Sequence, residues 1–422
     1  MRPCLDLHVE LALVDPRQGW FVLGADRLDG TKTLAPYPLP NFAQPVGGAF
    51  TLDISLLDST TDLIEGGAGN ADLPAGFVWV EYTSETMDIA IDRGVDIVQG
   101  IVSRPTAGTL VAQIVDPYLD ALANQNVGLD TIVRVRVGNR PVFTGEVTKL
   151  LTTYEATGIP VVNVEAADSV ARLNSVQVGV RPPETFSERL EAIGTVAGVS
   201  MDVTPGGRGL TGTDKPRSAL DALHLTCDSE GSLAWVDVRG EVHALHRDAD
   251  GPAATGRFLF ADDHTLPDHV CFTAVQVGLA TDDVINQLQV ANIEHNTTDP
   301  ANPRWETVSY EFADHLSADY YGVGAGNVTT TLPPADVPGY AAWAFGRFAA
   351  PQRKVHRIAY VTDELDDRTI PEVAFIDVAD TVTVDMDHRQ HPTVPRFVEN
   401  RRVARISHRI TPDRWTTELA LI

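Results

Sequence analysis

Cysteine is the rarest residue in this chain. Cys4, Cys227 and Cys271 are the three in 422 residues, far apart and with no pair at metal-ligand or redox spacing. That excludes a disulfide-stapled scaffold and a cysteine-based zinc or thiol–disulfide site, and the three read as small buried hydrophobes. Lysine is nearly absent too: Lys32, Lys149, Lys215 and Lys354 stand among 32 basic residues, the rest being arginine. Positive charge is in deficit overall, with 58 acidic residues giving a net charge of −26. Such a surface repels phosphate backbones and excludes sequence-independent nucleic-acid binding, although an acidic wall would let a duplex pass without retaining it. Long apolar runs are also missing. No stretch approaches the ~20 apolar residues of a spanning helix, and Met1-Arg2-Pro3-Cys4-Leu5-Asp6 lacks the apolar core of a signal peptide. The expectation is a chain that is soluble when made, with no membrane segment.

What is present is ordinary globular material, 43% hydrophobic and 21% charged, in a length that predicts three or four domains. Period-two alternation with Gly/Asn punctuation dominates, the signature of half-buried antiparallel strands. Residues 1–80 read as an N-terminal β module with strands at 7–14, 20–23 and 49–57, joined by the extended Pro36-Tyr37-Pro38-Leu39-Pro40. Residues 81–178 form a β domain. Its strand at 87–92 ends in an Arg93-Gly94 turn, and further strands are expected at 109–115, 131–137, 141–147 and 161–168. Residues 179–330 are an α+β middle. A helix follows Pro182-Pro183-Glu184-Thr185, with Phe186, Leu190, Ile193, Val196 and Ala197 on one stripe and Gly198 as its stop. A second helix spans 218–230 and leads into a hairpin, 233–238 and 241–246, with Gly240 at the turn; an alternating pair follows at 272–277 and 286–293. Residues 331–422 hold a helix at 338–348 and strands at 355–361, 373–376, 380–384, 403–410 and 415–421. The fold class is mainly β with a few helices, a β-rich α+β multidomain chain.

Candidate chemistry is thin. His224, His243 and His246 share the helix–hairpin unit, but His243 and His246 are three apart and point to opposite faces of a strand, so they cannot chelate together. Asp385, Asp387, His388 and His391 are denser, yet read as a solvated turn. Asp248-Ala249-Asp250-Gly251 begins like a calcium loop, but Leu259 occupies the position that requires glutamate. Gly206-Gly207-Arg208-Gly209-Leu210-Thr211-Gly212 lacks the Gly-Lys-Ser/Thr ending of a phosphate loop and reads as a mobile surface loop. Glu184 and Glu188 are explained as helix-starting acids rather than a glycosidase pair, and no serine sits in a nucleophile elbow. No catalytic residue, cofactor or metal is expected, and the chain is read as not an enzyme. One local excess stands out in so acidic a protein. Arg396, Arg401, Arg402, Arg405, Arg409 and Arg414 face only Glu399 and Asp413 nearby in sequence, a candidate interface for an acidic neighbour or a second copy.

The order of these pieces resembles a known family. Asp92-Arg93-Gly94, the strand Thr109-Leu110-Val111-Ala112-Gln113-Ile114-Val115-Asp116, the hairpin at 133–147, the strand-to-helix junction at 164–174 and the ending at 405–421 are similar to the minor tail, or tail hub (baseplate hub), proteins of long-tailed actinobacteriophages. The resemblance implies a ring-forming homotrimer with two tail-tube-like β-barrel or sandwich domains per chain and peripheral α+β domains. Residues 81–178 would be the first tube-like domain and 331–422 would complete the second, with 1–80 docking or capping. It further implies a structural protein at the distal tail tip, assembled in the host cytoplasm. Its partners would be the distal tail protein, other tail-tip subunits and the tape measure protein, with transient DNA passage and no specific binding. A host-surface carbohydrate or receptor module built on Trp20, Trp79, Trp235, Trp305, Trp343 and Trp415, or a peptidoglycan hydrolase, is the rival expectation.

Overall fold

The computed structural model describes residues 7–14, 77–81, 86–98, 102–115, 129, 131–137, 140–154, 160–248, 256–262, 269–279, 284–298, 304–362, 365, 373–387 and 396–422. The chain divides into two compact units: Met1–Met87 with Ala112–Val142 and Glu146–Ala166, and Asp88–Val111 with Phe143–Gly145 and Ala167–Ile422.

In the first unit, strand β1 (Leu7–Val14) pairs antiparallel with β2 (Phe77–Glu81), Val14 opposite Phe77, and on its other edge with strand 132–137, Leu7 opposite Val137. The segment Leu7–Val14 is thus a strand as expected. The strands expected at 20–23 and 49–57 lie outside the described residues. Strand 132–137 alternates strictly and buries Val133, Val135 and Val137.

The second unit is organised by a run of antiparallel strands. The strand order is β13 (Ala274–Leu279), β17 (Arg353–Val361), β20 (Arg414–Leu421), β19 (Phe397–Thr411) and β3 (Thr86–Val98), each hydrogen-bonded to the next. Across both units, the other strands of three or more residues among the described residues are β4 (Val102–Pro105), β5 (Thr109–Ile114), β6 (Ile132–Val137), β7 (Arg140–Thr153), β8 (Val161–Ala167), β9 (Met201–Val203), β10 (Leu233–Val236), β11 (Val242–Leu245), β12 (Phe258–Ala261), β14 (Gln287–Asn296), β15 (Arg304–Ala313), β16 (Ala325–Thr330) and β18 (Thr381–Met386). The α-helices among the described residues are α1 (Ser169–Leu173), α2 (Phe186–Ala197), α3 (Ala219–Glu230), α4 (His315–Tyr321) and α5 (Val337–Phe348).

β19 serves two partners in succession. Residues 397–402 pair with β18, and residues 403–411 pair with β20 and β3; the register shifts between Val403 and Arg405. The extra residue at this bulge lets Val403 and Ala404 both point inward, and it re-phases the strand for its second partner. The core beneath gathers Val355, Ile358, Tyr360, Val382, Val384, Val403, Ile406 and Leu419. Burying one such side chain stabilises by about 1.5–3 kcal/mol relative to exposure.

The helices follow their sequence signals. Thr185 caps α2 in a reciprocal capping box with Glu188, and Gly198 closes it in the left-handed region at φ 67°. Ser218 Oγ accepts from Asp221 N at 3.0 Å to cap α3. The two helices bury Leu190, Ile193 and Leu223 against β10 and β11. A third core packs α5, through Tyr340, Ala341 and Ala344, on the sheet β15–β14–β16.

Several expectations are corrected. Arg93-Gly94 is not a turn: β3 runs straight through, with Gly94 opposite Arg405. The strands near 272–277 and 286–293 do not pair with each other, because β13 joins β17 and β14 joins β15. Residues 373–376 make a turn rather than a strand, with Ile376 N donating to Val373 O. Helix α4 and strand β16 were not anticipated. Among the described residues, no helix is long and apolar enough to cross a membrane.

Candidate assembly face

The two faces of the β17–β20–β19–β3 run differ sharply, and the difference follows from alternation. Inward, β3 sends Ile89, Ile91, Arg93 and Val95, β19 sends Ile406, His408 and Ile410, and β20 sends Trp415, Thr417, Leu419 and Leu421. Outward, β3 carries Asp88, Ala90 and Asp92, β19 carries Arg405, Ser407 and Arg409, and β20 carries Thr416, Glu418 and Ala420. These outward groups form cross-strand pairs. Arg405 Nε donates to Asp92 Oδ1 at 2.6 Å, Ser407 Oγ reaches the same oxygen at 3.2 Å, Arg357 pairs with Glu418 at 2.6 Å, and Arg409 approaches Asp88 at 3.5 Å. Exposed pairs of this type contribute about 0.2–1 kcal/mol each, so they align strands more than they stabilise them.

The inward face holds two ionisable groups that are uncommon in a core. Arg93, 3% exposed, pairs with Asp377 at 2.9 Å. His408 lies nearby, with Nδ1 accepting from Trp415 Nε1 at 3.3 Å and 2.9 Å from Thr417 Oγ1. Burial, helped by the Arg93 charge, pushes the His408 imidazole down to about 3, so it is neutral at physiological pH. At the start of α1, buried Asp168 accepts from Gly108 N at 2.7 Å and from Val170 N at 3.0 Å. Burial outweighs these bonds and raises its carboxyl to about 6.

The six arginines singled out in the sequence are spread along β19 and its neighbours. Arg396 forks onto buried Asp385, with Nε to Oδ1 at 2.8 Å, and Arg401 pairs with Glu399. Arg402 is buried at 8% exposure, whereas Arg414 is exposed. Arg405 and Arg409 meet the β3 carboxylates described above. Sequence reading missed those acidic partners because Asp88 and Asp92 lie more than three hundred residues away along the chain.

The remaining sequence candidates are accounted for locally. His224 Nε2 sits 3.2 Å from Pro105 O, and burial lowers its pKa. Cys227 is buried, its thiol pushed up to about 12, and Cys271 Sγ lies 3.1 Å from His269 Nε2. Glu184 pairs with Arg181 at 2.6 Å and Arg189 at 3.0 Å, while Glu188 serves the capping box. The glycine-rich 206–212 segment is not a free loop. Its Gly206 and Arg208 carbonyls accept from Ser187 N at 3.2 Å and Phe186 N at 3.0 Å, satisfying the first amides of α2. Asp248 is exposed; Cys4, Asp250, His388 and His391 lie outside the described residues.

No family model matches the chain, and no curated protein is similar to it in sequence. Among solved structures, a tail protein from Neisseria meningitidis MC58 superposes with a TM-score of 0.55 at 13% identity, covering 82% of this chain and 94% of that one. The 43 kDa tail protein of prophage MuSo2 from Shewanella oneidensis gives 0.52 at 12% identity, covering 82% and 95%. The chain therefore shares the β-rich α+β multidomain fold of these two tail proteins over most of its length.

Proposed function

We propose that this chain is a structural, non-enzymatic component of a phage tail, and more narrowly the tail hub at its distal end. The reading is carried by one observation: the fold shared with the Neisseria and Shewanella tail proteins extends over 82% of the chain. In this reading three copies form a ring that joins the tail tube to the tail tip. Neighbours are the distal tail protein, other tip subunits and the tape measure protein. The net charge of −26 suits a lumen through which DNA passes without sticking. The subunit is assembled in the host cytoplasm and ends in the virion.

The interface we assign is the outward face of β3, β19 and β20 with the adjoining β18–β19 arm. There Arg396, Arg401, Arg405 and Arg409 pair with carboxylates and Arg414 is exposed, while Arg402, in the same arm, is buried and is not part of the outward face. Self-neutralised pairs at the centre and exposed Arg414 near one end would give a face specific in register rather than strongly adhesive. A glycan-binding role for the tryptophans is less favoured, because the four whose side chains are described are each engaged within the fold. Trp415 is 1% exposed, Trp343 packs beside the α5 core, and Trp235 and Trp305 stack on His243 and His295. The reading is tested by adding purified protein to tail-tube protein and imaging the product. Ring-shaped caps at tube ends are expected; tubes left bare at saturating protein would contradict the role.

A further inference from the structure

The hairpin β10–β11 carries a cluster for which the assembly role has no use. Asp237 and Glu241 flank its turn and His243 stands on its return strand; one ligand atom from each lies within 4.8 Å of the other two. The His243 ring is fixed twice over by groups outside this trio. It stacks on Trp235 with 5.3 Å between centroids and 15° between planes. Its Nδ1 lies 3.1 Å from Asp202 Oδ2, on the parallel neighbour β9, where Asp202 is directly in register with it. Nε2 is thereby turned toward Asp237 Oδ2, 3.6 Å away.

That distance fits an ion pair with a protonated ring and also the span of a bridging ion. It exceeds the roughly 2.7–3.2 Å of an N–H···O hydrogen bond. It lies close to the edge, about 3.4 Å, of a tetrahedron with nitrogen and oxygen ligands at roughly 2.0–2.1 Å from a central ion. Asp237 uses its other oxygen, Oδ1, to accept from the Arg239 and Glu241 amides at 2.9 Å each, so the turn presents Oδ2 to the ring. A carboxylate behind an imidazole whose far nitrogen faces another carboxylate is the arrangement that orients metal-bound histidines and fixes their tautomer. His243 and Asp237 side chains are 21% and 17% exposed, which leaves room for water as a further ligand.

We propose that Asp237, Glu241 and His243 bind a divalent transition ion of the zinc type, with Asp202 holding the imidazole from behind. One imidazole and two carboxylates favour such an ion over calcium or magnesium, which take oxygen ligands alone. The ion would pin the turn of the hairpin to the strand Met201–Val203. The competing arrangement is a protonated His243 held between Asp202 and Asp237 with no ion.

The test is calorimetric titration of the chelator-stripped full chain with Zn²⁺ at pH 8, with Co²⁺ as a visible-absorption probe of coordination. One equivalent should bind. Binding should weaken at least tenfold in His243→Gln and in Glu241→Gln; the latter keeps an oxygen to accept from Ser200 Oγ, which bonds Glu241 Oε1 at 2.5 Å. Asp202→Asn should weaken it by about 10–100-fold. His315→Gln, remote from the cluster in sequence and on α4, should leave it unchanged, and far-UV circular dichroism checks that each variant is folded. Absence of one-equivalent binding, or equal affinity in folded Glu241→Gln and wild type, would overturn the site.

Discussion

Gly94 sits mid-strand opposite the β19 bulge, where a Cβ would lie 2.7 Å from the Ala404 carbonyl and 2.8 Å from Arg405 Cα. Gly94→Ala should therefore force the backbones apart and destabilise by roughly 1–3 kcal/mol, read as a lower urea midpoint at unchanged m-value. Two buried groups give stability opposite dependences on pH. His408 has a folded pKa depressed to about 3, below its unfolded value of 6.5. The unfolded chain binds the extra proton between those values, so its contribution is complete above 6.5 and is lost as pH falls toward 3. Asp168 is raised from 3.8 to about 6, so the folded chain holds the extra proton and this contribution falls as pH rises through that window. Urea titrations of wild type and Asp168→Asn between pH 4 and 7 should give a stability difference that shifts against wild type as pH rises. A pH-independent difference would show that burial does not control this carboxyl.

At the scale of elements, the helices were the most legible part. A cap and a glycine stop bound α2 and an apolar stripe marks α5, all local signals, and the expected helices at 186–197 and 338–348 fall within a residue or so of the observed ones. Removing the α2 cap by Thr185→Ala should cost about 0.5–2 kcal/mol, measured by chemical denaturation. Strand positions were legible from alternation, as in β6 and β20, but strand partners were not. Alternation records which face is buried and carries no information on which strand lies alongside. The Arg93-Gly94 dipeptide was read as a turn because close backbone approach and turn formation both select glycine, and only the partner strand separates them. The arginine cluster was visible for the same reason it was incompletely understood. Most of its cations lie on one strand, Arg401, Arg402, Arg405 and Arg409 on β19, while Asp88 and Asp92 arrive from the far end of the chain.

At the scale of the whole molecule, the assembly proposal predicts how charge governs association. An acidic chain repels its copies, so ring formation should strengthen as added salt screens that repulsion toward physiological ionic strength. The double reversal Arg409→Glu with Arg414→Glu should weaken association at least tenfold while leaving the unfolding midpoint nearly unchanged, since both side chains are exposed. Analytical ultracentrifugation of wild type and variant checks both. The most direct measurement is native mass spectrometry of the purified chain over a concentration series. The account predicts a threefold species that grows with concentration and persists when tail-tube protein is present. A chain that stays monomeric throughout, alone and with tube protein, would contradict it.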